Sequence, residues 1–177
     1  WASVDDSGRI ERLVEIYSTF HTSESPEAPN SWGSLDSLNC IQSALANGLR
    51  FGFLGGSDTH LSMPGRGLGV TNGYPGNKAR AYGLTAVYSP ANTREDIFAA
   101  LQARRCYAAT DRILLDFRLN GEYMGGEVPL SSPPIVHVRA AGTAPFMQVD
   151  LIRNNRVIHQ TGNGAWEIEF EFKDHEK

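Results

Sequence analysis

From Trp166 to Phe172 the chain alternates without a break. Trp166, Ile168, Phe170 and Phe172 interleave with Glu167, Glu169 and Glu171. A two-residue period suits a strand with one face on a core and the other in water, as in an antiparallel sheet. The segments before it agree. Residues 113–119 alternate and run into Asn120-Gly121, a strong hairpin-turn signal. Residues 135–140, 148–153 and 156–160 read as further short strands, with Asn154-Asn155 as a tight turn between the last two. No helical period appears beyond Asp111.

Before Asp111 the pattern is different. Residues 12–18 (RLVEIYS) and 49–54 are nearly continuous apolar runs, the signature of strands buried on both faces. Between them, Leu38, Ile41 and Leu45 recur at helical spacing. Ser34 or Asp36 can cap the start and Gly48 the end, which predicts a helix over 36–47. Residues 84–89 are strand-like again. A helix is predicted over 94–105, where Thr93 with Asp96, or Asn92 with Glu95, has capping-box spacing. Ile97, Leu101 and the alanines form its buried stripe, and Arg104 and Arg105 suit the negative end of its dipole. Residues 22–33 read as a polar loop, and 61–83 as a long segment punctuated by glycine. Loops of that length are uncommon in compact domains and are often functional. Strand, helix, strand, loop, strand, helix is the grammar of an α/β fold with parallel strands. The expected organisation is therefore an α/β part over 1–111 and an all-β, sandwich-like part over 112–177.

Charge excludes some function classes. With 16 Lys+Arg against 20 Asp+Glu the formal net charge is −4, and the basic residues are scattered. Nucleic-acid binders that neutralise phosphates concentrate their basic residues, so no nucleic-acid partner is expected. No apolar run approaches the ~20 residues that span a bilayer. Cys40 and Cys106 are far apart in unlike contexts and form no disulfide framework.

The residues best suited to chemistry are Asp58 and His60, in GSDTH after the second apolar run. A carboxylate and an imidazole two positions apart at a strand's carboxyl end can point into one cleft, where α/β sites sit. Both are ordinary ligands for Zn²⁺ or Mn²⁺. The same pattern also suits a plain turn in which Asp58 caps its neighbours and the imidazole is exposed. Glu15, on the first strand, and His21, just past it, form a second candidate pair; a solvated Glu and a loop His are the plainer alternative. Arg105 can hold a substrate anion or lie on the surface. His137, His159 and His175 read as structural or exposed. The stretch 65–76 lacks the Gly-Lys-Ser/Thr ending of a P-loop, and Ser57 does not sit in a G-x-S-x-G elbow.

EIYSTFHTSE, GSDTH, LTAVYSPANTREDIFAALQARRCYAATD and LDFRLNGEYMGGEV together resemble the C-terminal stretch of PHP-domain (polymerase and histidinol phosphatase) metallohydrolases. The resemblance is closest to the bacterial branch with a β-sandwich after the catalytic part, which includes carbamate and amide hydrolases. It implies the C-terminal portion of a distorted (β/α)₇ barrel followed by an antiparallel β-sandwich. It also implies a centre holding divalent Zn, Mn or Fe, with Asp58 and His60 as ligands and catalytic residues and Glu15 as a further ligand. The His of the Glu15 motif falls in related members at Phe20, one residue before His21. The family's opening H-x-H motif has no counterpart here. The chain is accordingly expected to be part of a longer protein, to hold about half a site, and to associate with a missing N-terminal segment or with itself. The implied activity is hydrolysis of a small-molecule ester, a phosphoester by family default, or of a carbamate or amide, by metal-activated water. A different class of function, a binding module, would use the β part to contact a carbohydrate or a protein. Trp166 and Tyr123 are then the aromatics to test, although Trp166 alternates with Ile168 and Phe170 as a core residue would.

Overall fold

The computed structural model describes residues 10–29, 31, 36–58, 82–130 and 132–175. In chain order these form β1 (Leu13–Tyr17), α1 (Ile41–Ala46), β2 (Gly52–Gly55), β3 (Leu84–Val87), α2 (Arg94–Gln102) and β4 (Cys106–Ala109). There follow β5 (Leu114–Leu119), β6 (Glu122–Tyr123), β7 (Ile135–Phe146), β8 (Val149–Arg153), β9 (Arg156–Thr161) and β10 (Ala165–Lys173).

The α/β barrel expectation is overturned. Of the described residues 43% are strand and 11% helix, and the strands form several small sheets. β1 and β2 do pair in parallel. β3, however, pairs antiparallel with β4, Leu84 opposite Ala109 and Val87 opposite Cys106. Apolar runs suggest burial but not strand direction, and the parallel reading was extended from one pair to three.

The predicted 36–47 helix shrinks to Ile41–Ala46 for a local reason. The Asp36 carboxylate accepts from Leu38 N at 3.0 Å, and Asn39 N donates to Asp36 O at 2.9 Å, so the chain turns before it coils. Leu38 is left exposed. The helix starts at Cys40, where its free amides find backbone partners in a neighbouring segment. Ile41 N donates to Ser23 O and Gln42 N to Glu24 O.

Both helices end the same way. Leu49 N reaches back to Ala44 O and Gly48 N to Leu45 O, with Gly48 at φ +86°. In α2 the matching bonds run from Arg105 N to Ala100 O and from Arg104 N to Leu101 O. Here the left-handed residue is Arg104, at φ +60°. Glycine is the usual choice because it has no Cβ to clash. The arginine is held instead by its side chain, whose Nε donates to Gly125 O at 3.1 Å and whose Nη2 meets Glu127 at 3.1 Å. Arg104 is thus a latch to residues 125–127 and not a dipole-capping residue on the helix. Thr93 caps the other end of α2, its hydroxyl accepting from Asp96 N.

Beyond Asp111 the strands build one antiparallel sheet in the order β10-β7-β5-β6. The β8–β9 hairpin supplies Leu151 and Ile158 to the same core as Val136, Val138, Leu115, Phe117, Leu119, Phe170 and Phe172. Asn120-Gly121 and Asn154-Asn155 all have positive φ, as two-residue hairpin turns require. Arg153 pairs with the buried Asp174, tying β8 to the segment after β10. Trp166 departs from its alternation pattern and is 59% exposed. The register slips between Ala165 and Glu167, and this bulge falls at the residue where burial was expected. Among the described residues no helix is long and apolar enough to cross a membrane.

Candidate functional site

β1, β2 and β4 run in the same direction. At their starts, the Arg12 guanidinium donates to Gln102 O at 2.8 and 2.6 Å, and a Cβ on Gly52 would lie 3.0 Å from the Arg104 backbone. At their ends, Gly56 N donates to Tyr17 O at 2.9 Å and Gly83 N donates to Gly56 O at 3.0 Å. The Thr85 hydroxyl closes the junction, accepting from Gly55 N and donating to Gly55 O.

This junction is built backbone against backbone. A Cβ on Gly55 would lie 2.7 Å from Leu84 O, and one on Gly83 would lie 2.5 Å from Tyr17 O. Side chains are excluded, so what emerges beside the junction is set by the residues just outside it. On β1 that residue is Glu15. A Cβ on Gly56 would meet Glu15 Oε2 at 1.9 Å, so the carboxylate rests on the bare face of Gly56. The bulge between Glu15 and Tyr17, where Glu15 faces Leu54 and Tyr17 faces Gly55, bends the strand at this point. From β2 the chain passes Gly55-Gly56-Ser57 to Asp58, which is exposed and adopts φ +45°. Aspartate tolerates that backbone better than most residues.

Glu15 on β1 and Asp58 past the end of β2 lie near enough for their charges to interact. The Glu15 carboxyl is held above the usual carboxylate range, first by loss of water at the glycine face and then by the negative charge of Asp58. Two carboxylates close enough for one to raise the other's pKa are an arrangement that a divalent cation relieves.

His21 belongs to the turn that follows β1. Its carbonyl accepts from Ser18 N at 3.0 Å, and its Nδ1 is buried. The turn is pinned to β1 by the Thr22 hydroxyl on Ile16 O and the Ser23 hydroxyl on Glu15 O, both at 3.0 Å. His21 therefore lies at the same end of the strands as Asp58. His60 lies outside the described residues. Among the described residues no three His, Cys, Asp or Glu side chains group closely enough to hold an ion. Oxygen donors from Glu15 and Asp58 fit a hard divalent cation.

Arg105 is at the other end of the strands. It immediately precedes β4, and its guanidinium lies 5.9 Å from the Tyr123 ring centroid. The structure therefore separates it from Glu15 and Asp58. Cys40 and Cys106 are both buried thiols, and burial pushes the Cys106 thiol pKa up. From the sequence, the paired Gly55-Gly56 suggest close backbone approach, but Gly83 and Thr85 do not stand out. A glycine pair just ahead of Asp58 was the available signal, but its close-packing partner 27 positions later was not visible locally.

The family described as "Protein of unknown function (DUF3604)" matches residues 67–151, a span without Glu15 or Asp58. An uncharacterized protein of Chlamydia pneumoniae is 34% identical over 181 residues, covering 93% of this chain and 28% of that protein. Uncharacterized proteins of Chlamydia trachomatis and Chlamydia muridarum are each 33% identical, again over 93% of this chain and 28% of their own length. The chain thus spans 28% of the length of the curated relatives it matches. No solved structure matches.

Proposed function

We propose that this chain contributes to a metal-dependent hydrolase centre, with Glu15, Asp58 and His60 as ligands and His21 as a ligand or as the group that orients one. The observation that carries the reading is the convergence of Glu15 and Asp58 on one glycine-walled strand end. In the absence of a cation that convergence costs electrostatic repulsion. The resemblance of GSDTH and EIYSTFHTSE to metallohydrolase motifs supports the chemistry.

A bound Zn, Mn or Fe ion would polarise a P=O or C=O group and bring the pKa of a bound water down to about 7. The chain's own part is to position that chemistry. The bare faces of Gly55, Gly56 and Gly83 let backbone and carboxylate pack closely, and the Ser23 hydroxyl fixes the carbonyl of Glu15 itself. A phosphoester is the first substrate class to test, with carbamates and amides reached by the same activated water.

The test is a calorimetric titration of the chain with Mn²⁺ and Zn²⁺. Saturable binding is expected, weakened at least about tenfold by Asp58→Ala or by Glu15→Ala. Hydrolysis of p-nitrophenyl phosphate, or of a chromogenic carbamate, should then require both the metal and Asp58. Binding that ignores both substitutions contradicts the proposal.

A further inference from the structure

A second site-like feature lies on the β part, on residues separate from the acidic strand end. β6 pairs with β5 only at Arg118 and Leu119, which leaves the earlier half of β5 without a strand on that side. The tyrosine of β4 fills the gap. The Tyr107 hydroxyl donates to Ile113 O at 2.8 Å and accepts from Leu115 N at 3.0 Å. Beside it opens a cleft of about 510 Å³ between the antiparallel β3–β4 pair and the outward face of the sheet.

One wall is aromatic and preset. The ring of Tyr88 lies 6.2 Å from that of Tyr107 and 5.5 Å from that of Tyr123. Tyr123 is in turn covered by the Arg118 guanidinium at 4.4 Å, and Asp116 grips that guanidinium through two bonds of 2.9 Å. Each member is fixed by the next, so little freedom is left to lose when a ligand binds. The phenol of Tyr88 is held well above its ordinary pKa, by burial first and by Asp116 next, and so stays a hydrogen-bond donor.

The lining also carries Asp116, Arg139 and Glu167, with Leu114 69% exposed. Asp116 is already engaged by Arg118, which leaves one cation and one acid to face a ligand and no strong preference for an anion or a cation. Arg139 and Glu167 do supply donors and acceptors for a neutral ligand rich in hydroxyls. An aromatic wall suits a ring with an apolar face, and the volume is that of a small-molecule site.

We propose that this cleft binds a neutral oligosaccharide, with a sugar ring against Tyr88 and its hydroxyls bonded to Arg139 and Glu167. The site shares no residue with Glu15, Asp58 or His60 and stands or falls without them.

The experiment is an NMR titration of the 177-residue chain with neutral tetrasaccharides of glucose, mannose and N-acetylglucosamine. At least one should bind in the millimolar range or tighter. Tyr88→Ala, Arg139→Ala and Glu167→Ala should each weaken binding at least about tenfold. Glu15→Ala should leave it unchanged. Tyr88 is half-buried, so far-UV circular dichroism checks that variant, and the Arg139 and Glu167 variants carry the test if it fails to fold. The proposal is overturned if no tetrasaccharide binds at about 10 mM, if binding survives both the Arg139 and the Glu167 substitution, or if a charged peptide occupies the cleft more tightly than any neutral sugar.

Discussion

The strand ends around Gly56 and the core beneath β7 hold their elements together by opposite means. At the first, Gly55, Gly56 and Gly83 let main chains touch, and four backbone or hydroxyl bonds close the junction. At the second, Val136, Val138 and Leu151 interlock as side chains between a sheet and a hairpin. A glycine junction leaves a smooth floor on which polar groups can be set, and an aliphatic core leaves none. The candidate acids sit on the first, and the second serves to hold the sheet.

That contrast implies different failures. The largest effect is expected from Gly83→Ala, because its Cβ would fall 2.5 Å from Tyr17 O and the opposing backbone has no side chain to swing aside. A loss of about 3 kcal/mol or more in urea unfolding is expected; a loss below about 1 kcal/mol would mean that the junction is loose. Leu151→Ala should cost about 2–3 kcal/mol, toward the low end of core truncations, since the hairpin can settle into part of the space. The same unfolding curves measure it.

Gly56→Ala should separate stability from function. Its Cβ meets only the far end of the Glu15 side chain, which can swing away. Stability should change by under about 1 kcal/mol, while Mn²⁺ affinity in calorimetry falls at least about tenfold. Equal loss of both would make the glycine merely structural.

The smallest effect belongs to the outward face of the sheet. Asp116 has its pKa lowered, chiefly by its bonds to Arg118. A carboxylate with a lowered folded pKa contributes stability above its unfolded pKa of about 3.9. That contribution is lost as pH falls through the folded value. Asp116→Asn should therefore cost under about 1 kcal/mol at neutral pH. The gap between variant and parent should close in acid, and a gap that persists there would assign the effect to packing.

The two regions also differ in how much of them could be read beforehand. Where one strand face meets water, burial imposes a two-residue period, and β5, β8, β9 and β10 lie within a residue or two of their expected positions. Asn120-Gly121 and Asn154-Asn155 announced their turns because their backbone conformations are costly for other residues. Trp166 broke the pattern at a bulge, which periodicity does not record. In the first region the apolar runs marked β1 and β2, yet the antiparallel direction of β3 depends on its distant pairing with β4. The helix at 36–47 was shortened by a side-chain turn at Asp36 that competes with helical bonding. Glu15 and Asp58 were legible as residue types beside strands. The family resemblance placed both in one centre, but the packing of Glu15 on the bare face of Gly56 was not legible, because it depends on the β1–β2 pairing. The tyrosine cluster joins Tyr88, just past β3, with Tyr107 of β4 and Tyr123 of β6, and of these only Tyr123 was visible as a candidate.

The most direct test of the metal-centre proposal is anomalous diffraction from crystals of the chain grown with Mn²⁺ or Zn²⁺. An anomalous peak within about 2.3 Å of carboxylate oxygens of Glu15 and Asp58, absent in Asp58→Ala, is the predicted result. An ion bound elsewhere, or no ion at saturating metal in crystals with Glu15 still packed on Gly56, would contradict it.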